Sequence, residues 1–295
     1  VSDFLPFFRL MSDGMTLRCK NGAFARVFKV EGMDLAFATG ETIYSMAEAR
    51  KSWIDGLSDL QVVSRVITLR KRVPNQEHSG DFNNAILEEV SAVWDANLTS
   101  IFQNEHYIVL SVEDRKDALK DLNFASQSLL ATLSDYKVRA MCETEGGSAK
   151  ESPVFVFAKI CSPLSDPLPK VGKTQGAAFN ELLTADHIHF TGENGVIRFF
   201  SGEKEKFEIC MGIRASGDYM DESMIASLLA INGEMVLLHN VKPIFKAKAR
   251  ALLMQQQRMA TLTSFSSGVI TAGLKGSITR MMNTIIIDRY VIIVF

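Results

Sequence analysis

Apolar positions along the first half of the chain alternate between the spacing of strands and that of helices. Two strand-like runs, residues 16–20 and 24–31, are separated by Asn21-Gly22. This dipeptide readily adopts the positive φ angles of a type I′ turn. The pattern therefore predicts a β-hairpin with a type I′ turn near the start of the chain.

Helical and strand-like segments then follow one another. Apolar residues recur at helical spacing between Ile43 and Leu57, and the next run, residues 62–69, is β-branched and apolar. The same alternation of helical spacing and strand-like runs continues along the chain. It predicts a helix over 83–102, a strand over 107–112, a helix carrying Leu119 to Leu133, and a strand over 137–141.

A polar, glycine-containing segment, residues 143–152, interrupts this pattern. Such a composition is typical of a flexible connection. We therefore expect an N-terminal lobe over residues 1–148 and a second lobe over 149–295.

The second lobe contains further strand-like runs. Residues 154–160 are continuously apolar and predict a strand, while Phe207, Ile209 and Met211 alternate with Glu208 and Cys210 as in a strand with one buried face. Residues 196–200 and the alternating run around Phe207 together predict a second hairpin. The remaining predicted elements are a short helix over 221–231, a strand over 234–240 and a long helix over 245–263.

These elements predict an α+β (mixed α/β) fold. Helices and hairpins alternate without an exact repeat, and we expect two lobes of sheets and hairpins, with two sheets each covered by helices on one side.

Composition limits the possible functions. The chain has 295 residues, of which 47% are hydrophobic, so it can form a sizeable core. Its 32 Lys and Arg nearly balance its 34 Asp and Glu, which argues against nucleic acid as a partner. Four scattered cysteines favour a reducing, cytoplasmic location, and no apolar run is long enough to span a bilayer. Membrane attachment is therefore expected through partners.

The ends of the chain suggest a larger protein. It begins at Val1 rather than Met, and it stops within an apolar run, residues 291–295. We expect this sequence to be the leading part of a longer chain.

The stretch PLPKVGKTQG, residues 167–176, resembles the end of a phosphate-binding loop at Gly172-Lys173-Thr174. The full motif requires a glycine five positions before Gly172, where the backbone N–H groups begin to surround phosphate. Pro167 occupies that position, and proline has a fixed φ angle and no N–H. We therefore predict that this chain contains no working phosphate loop.

A second ATPase-like feature is TIIIDRY, in which Asp288 follows an apolar run as a magnesium-binding carboxylate does. Because another apolar run follows at once, we predict that Asp288-Arg289 forms the polar tip of a hairpin or a bulge. The alternative, a self-sufficient ATPase that uses Lys173, Thr174 and Asp288, stays open.

Other polar residues give no catalytic pattern. His187 and His189 would share one face of a strand, but no third or fourth ligand is suitably spaced, so we predict a surface pair rather than a metal site. His78, His106 and His239 have no nucleophile that spacing singles out. We predict no catalytic, cofactor-binding or metal-binding residue.

Interaction with partners is the remaining role for exposed polar groups. Short basic clusters ordinarily form solvated faces, although each can also contact phosphate or an acidic partner. The candidate interaction residues are Asn21, Gly22, Arg70, Lys71, Arg72, Lys246, Lys248 and Arg250.

The segments taken together resemble a known family. The opening FLPFFRLMSDGMTLRCKNGAFARVFKVEGMDL, the strand ending in Arg70-Lys71-Arg72, the segment FVFAKICSPLSDPLP and the stretch FEICMGIRASGDYMDESMIASLLAINGEMVLLHNVKPIFKAKARALLMQQQRM come in a matching order. In this order they are similar to the N-terminal domain of the CagE/TrbE/VirB family of traffic ATPases, which belong to bacterial type IV secretion and conjugation machines.

This resemblance implies a function. ATP and Mg²⁺ would bind in a separate C-terminal RecA-like domain, expected after residue 295, and no catalytic residue of the family carries over onto these positions. The resemblance implies a docking and oligomerisation domain that forms dimers or hexamers on the cytoplasmic face of the inner membrane. Its expected partners are other copies of the chain, small inner-membrane subunits of the secretion channel and other secretion ATPases, with no direct small-molecule substrate.

Overall fold

The computed structural model describes residues 6–33, 38–74, 84–97, 100–144, 148–164, 183, 186–190, 195–213, 227, 230–243, 250, 251, 254, 255, 258 and 286–294. Eleven strands and four α-helices of more than three residues lie within these residues. The predicted α+β class is confirmed.

The strands are β1 (Phe7–Leu10), β2 (Thr16–Cys19), β3 (Phe24–Val30), β4 (Val63–Pro74), β5 (Ser100–Val112), β6 (Val138–Ala140), β7 (His187–Phe190), β8 (Val196–Ser201), β9 (Lys204–Ile213), β10 (Met235–Pro243) and β11 (Ile286–Val294). The helices are α1 (Gly40–Leu60), α2 (Ala85–Asn97), α3 (Ala118–Thr132) and α4 (Phe155–Cys161).

All described strands belong to one antiparallel sheet. Its order is β1-β2-β3-β5-β4-β10-β11-β9-β8-β7, and β6 pairs with the end of β3 on the same edge as β2. The expectation of two sheets is therefore wrong for the described residues, because β10 pairs directly with β4 and joins the strands of both predicted lobes. The lobe boundary at residue 148 stays a prediction.

Helices cover the two faces of the central strands. On β5, Ile108 and Leu110 point towards α1 and α3, whereas Tyr107 and Val109 point towards α4, since successive strand residues face opposite sides. The first face forms a core with Trp53, Leu57, Leu122 and Leu129, and the second with Leu69, Phe155, Val156 and Val236. The central strands are buried on both faces.

Local sequence accounts for the ends of α1. The Thr39 side chain accepts a hydrogen bond from the Thr42 N–H at 3.2 Å and so caps the first turn. The helix ends at Gln61, which adopts a left-handed conformation with φ of 51°. Buried Met46, Trp53 and Leu57 fix the face that packs on the sheet.

Three predictions differ from the structure. Residues 155–161 form the helix α4 instead of a strand, because a short apolar run buried on several sides does not distinguish the two by periodicity. Asp288-Arg289 is not a hairpin tip or a bulge: β11 is continuous, and these residues pair with Val241 and Asn240 without a break. The predicted helix over 83–102 is also shorter, because β5 begins at Ser100.

The hairpin at Asn21-Gly22 is confirmed, but its turn is not type I′. Only Gly22 has a positive φ, 83°, whereas a type I′ turn needs two such residues. The Gly22 N–H donates to the Cys19 carbonyl at 3.0 Å, and the Asn21 side chain accepts from the Ala23 N–H at 3.1 Å. This is a three-residue loop in which Gly22 supplies the left-handed position.

Gly22→Ala is expected to destabilise the chain more than Gly202→Ala. Both glycines have positive φ, but a Cβ at Gly22 would lie 2.5 Å from Asp114 Oδ2, whereas a Cβ at Gly202 would have nothing within 4 Å. Gly202→Ala should lower the free energy of unfolding by about 1 kcal/mol, the cost of the left-handed backbone. Denaturant titration of both variants measures the difference, and equal losses would contradict the packing of the turn on Asp114.

Candidate docking surfaces

The basic triplet at the end of β4 is divided between the two faces of the sheet. Arg70 and Arg72 lie over the Phe102 ring, with guanidinium-to-centroid distances of 4.3 and 5.1 Å. Lys71 lies on the opposite face, because neighbouring strand residues alternate. The triplet therefore provides one exposed cation, Arg72, and two half-buried ones rather than a single basic patch.

Around Lys71, oppositely charged residues join four elements. The Lys159 ammonium of α4 contacts Glu105 of β5 at 2.8 Å, and the Lys206 ammonium of β9 contacts Glu234 at 2.6 Å. Burial lowers the pKa of Lys71, and the neighbouring Lys159 and Lys206 lower it further against the opposing effect of the two carboxylates. This charge cluster holds α4 against the sheet, which favours a structural role.

Glu208 of β9 is buried on the same face. It is 2% exposed, and among the described residues its Oε1 atom has no hydrogen-bond partner. Burial raises the pKa of Glu208 from an ordinary 4.5 to about 8; Lys206 opposes this increase and Glu234 adds to it. Glu208 is therefore mostly protonated at neutral pH.

The apolar side of β9 faces outwards. Phe207, Ile209 and Met211 are 54%, 45% and 45% exposed, while Glu208 between them is buried. Alternation favours the opposite arrangement, with the apolar side chains against a core. The predicted strand is confirmed, but its buried side chain is the polar Glu208, and no described element covers its apolar side on the face of the sheet that carries α1 and α3.

The adjoining strands extend this exposed face. Strand register places Arg198 and Phe200 of β8 beside Phe207, and the Arg198 guanidinium lies 5.7 and 6.0 Å from the Phe200 and Phe207 ring centroids. The His187 ring of β7 stacks on Phe200 with a centroid distance of 5.1 Å. We call the surface formed by His187, His189, Arg198, Phe200, Phe207, Ile209 and Met211 the β8–β9 face.

A second exposed apolar surface is one side of α2. Ile86, Leu87, Val90 and Trp94 are between 49% and 70% exposed and recur at helical spacing. We call these four residues the α2 stripe. α2 connects the far ends of β4 and β5, where these two strands extend beyond their pairing with β10 and β3.

The remaining predicted interaction residues are dispersed. Asn21 and Gly22 form a turn packed near Asp114, and Arg250 is exposed. Lys246 and Lys248 lie outside the described residues, as do Lys173 and Thr174. The structure does not bring the described candidates together, and their interaction role stays a prediction.

Sequence reasoning missed both apolar surfaces, although each had a signal. The α2 stripe was visible as the spacing of Ile86, Val90 and Trp94, and the β8–β9 face as the alternation around Glu208. Neither pattern shows whether an apolar side faces a core or a partner, because the pattern is the same in both cases.

Two further features concern metals and membranes. In the part of the chain that the structure describes, no three or more His, Cys, Asp and Glu side chains are grouped as metal ligands. None of the helices within the same residues combines the length and the apolar composition of a membrane span.

Two comparisons place the chain among known proteins. Residues 15–118 match the family described as the type IV secretion system ATPase VirB4/TrbE, N-terminal domain. Residues 167–278 match the CagE, TrbE, VirB family, a component of the type IV transporter system. No curated protein matches the chain.

The two matches follow each other along the chain and define a class, the type IV secretion ATPase components. The matched residues, 15–118 and 167–278, are consistent with a fragment of such an ATPase.

Glu208→Gln is expected to remove a pH dependence of stability. Between about pH 5 and 8 the folded chain keeps the Glu208 proton that the unfolded chain loses, so the free energy of unfolding falls as pH rises, by up to about 1.4 kcal/mol per pH unit. Glutamine mimics the neutral carboxyl and cannot ionise. Denaturant titrations across this range measure the slope.

Glu203→Gln in the exposed turn of the same hairpin is the matched control and should keep the slope of the original chain. An unchanged slope in Glu208→Gln would contradict the buried, protonated state of Glu208.

Proposed function

We propose that this chain is a docking and oligomerisation domain of a type IV secretion ATPase. In this role it helps to power pilus biogenesis, or the translocation of DNA or effector proteins across the bacterial envelope, without carrying the catalytic site itself. The observation that carries the proposal is the exposed β8–β9 face within a chain whose segments match this family.

The exposed surfaces support docking physically. Contiguous apolar patches on a folded protein mark interaction sites, because their contact with water is unfavourable. The outer strands of the described sheet, β1 and β7, also present backbone N–H and C=O groups along their free edges. Apolar packing and strand addition are both available to a partner.

The location and partners of the domain follow from this proposal. The domain would lie peripherally on the cytoplasmic face of the inner membrane, against small inner-membrane subunits, other copies of itself and other secretion ATPases. ATP and Mg²⁺ would bind in a separate RecA-like domain rather than in this chain.

The alternative is an ATPase site within the chain itself. Asp288 lies in the middle of β11, and Lys173 and Thr174 are outside the described residues. Magnesium-dependent ATP binding that Lys173→Ala abolishes would favour this alternative.

Membrane recruitment tests the docking role. When the chain is expressed together with the small inner-membrane subunits of its secretion system, we expect it to sediment with membranes, and when it is expressed alone we expect it to stay in the supernatant. Quantitative immunoblotting of the two fractions is the measurement. Equal distribution with and without these subunits would contradict the proposed docking.

A further inference from the structure

We propose that a cavity between α3 and β6 binds an extended, uncharged segment of a partner polypeptide. The backbone of this segment pairs with the free edge of β6, and one large apolar side chain enters the cavity. The inference rests on the proposed docking role and deepens it, because it states the chemistry of a partner segment. It concerns neither the β8–β9 face nor the α2 stripe.

The cavity has a volume of about 360 Å³ and lies between α3, β3 and β6. Its apolar lining consists of Met15, Phe28, Leu130, Ala140 and Met141. A cavity of this size and lining can accept a large aliphatic side chain, because contacts with apolar atoms then replace contacts with water. We call it the α3–β6 cavity.

Two amide side chains of α3 line the same cavity. Asn123 and Gln127 are four residues apart, a rise of about 6 Å along the helix, which is close to the repeat of about 7 Å between every second residue of an extended chain. A side-chain amide can donate and accept hydrogen bonds, as a peptide group does. Within the part of the chain that the structure describes, neither amide forms a hydrogen bond. Both therefore remain available to an extended backbone.

The edge of β6 provides further backbone groups. The Met141 N–H donates to the Val27 carbonyl at 2.9 Å, and neighbouring residues of a strand direct these groups to opposite sides. The N–H and C=O of Ala140 therefore point away from β3, towards an edge that pairs with no described strand. All described strand pairs of the sheet are antiparallel, and we expect the added segment to be antiparallel as well.

This edge and the cavity are suitably placed for one segment. In an antiparallel pair, a residue directly opposite Ala140 would exchange both hydrogen bonds with it. Directly opposite residues also place their side chains on the same face. Because the Ala140 side chain lines the cavity, the opposite side chain of the segment would enter it.

Charge favours an uncharged occupant. Arg26 lines the cavity, but its guanidinium pairs with the Asp13 carboxylate at 3.4 Å and donates from Nε to the Thr16 hydroxyl at 2.9 Å. The remaining polar lining, the two amides and Ser126, is neutral. The lining therefore offers no excess charge to a carboxylate or a phosphate. A helix is also disfavoured, because its backbone groups bond to one another and cannot pair with the edge of β6.

Titration with a defined peptide tests the proposal. The probe is an end-blocked pentapeptide with a central leucine between threonines, and the NMR signals of labelled methionine methyls and backbone amides are the measurement. The Met15 and Met141 methyls and the Ala140 amide should shift to saturation, whereas the methyl of Met211, which is exposed on the β8–β9 face, should not. Replacing the central leucine with alanine should weaken binding at least about tenfold.

A peptide methylated on its leucine nitrogen separates the backbone contact from the side-chain contact. It keeps the apolar side chain but cannot donate to the Ala140 carbonyl, so it should bind at least about fivefold more weakly. Equal binding of this peptide would contradict strand pairing, because the cavity would then accept an apolar group alone.

Two leucines of α3 form a matched pair of variants. Leu130, 37% exposed, lines the cavity, whereas Leu119, 38% exposed, does not. Leu130→Ala should weaken peptide binding at least about threefold, and Leu119→Ala should leave it unchanged. Asn123→Ala combined with Gln127→Ala should weaken it about tenfold, since two hydrogen bonds are lost. Both amides are exposed, so this double variant is expected to fold normally.

The inference would be overturned if the leucine peptide caused no saturable shift, if the alanine peptide bound equally well, or if the two leucine variants behaved alike. Shifts of Met15 and Met141 that appear on concentrating the chain without peptide would instead assign the cavity to a second copy. Membrane recruitment by the secretion subunits is measured on the whole chain and can use the β8–β9 face. Failure of this inference is therefore distinguishable from failure of the proposed function.

Discussion

The ladder between β4 and β10 is the contact on which the continuous sheet depends. It pairs residues 64–70 with residues 235–241 and so connects strands that are far apart in the chain. Glu234 strengthens the end of this ladder, because its carboxylate accepts from the Arg72 N–H at 2.9 Å and from the Lys206 ammonium at 2.6 Å. The position of β11 and β9 follows from this pairing.

Register then decides which side chains face outwards. A shift of one residue would move every side chain of a strand to the other face. The ladders run from β4 through β10 and β11 to β9. Along them, Leu69 and Val236 lie on the same face as Glu208 and Cys210. Leu237 lies on the opposite face, together with Met211. The exposed apolar side of β9 is thus a consequence of the same pairing that buries the core of β4 and β10.

The two faces of the sheet differ in what they carry beyond the central strands. Under α4, the face continues into a cluster of paired charges that links α4 to the sheet, and into the buried Glu208. On the other face, α1 and α3 cover the central strands, and the apolar surface continues onto β8 and β9 without a described element above it. Continuation of an apolar sheet face beyond its covering helices is the physical basis for the proposed docking.

Local patterns were sufficient to predict most elements. The helices α1 and α3 and the hairpins β2–β3 and β8–β9 were recognisable because amphipathic spacing and turn residues are local properties. The single sheet was not predictable, since the pairing of β4 with β10 joins residues about 170 positions apart. The helix α4, the Gly22 turn and the buried Glu208 were missed because tertiary packing, rather than local propensity, determines them.

Methionine oxidation tests the central claim directly. This claim is that the apolar side of β9 is exposed to solvent in the single chain and covered in the assembly. Met211 is 45% exposed and Met235 is fully buried, so the second residue is an internal reference. With peroxide and peptide mass spectrometry, we expect Met211 to oxidise much faster than Met235 in dilute solution and to become protected as the chain concentration rises. Equal rates for the two residues in dilute solution, or a Met211 rate that does not change with concentration, would contradict the account.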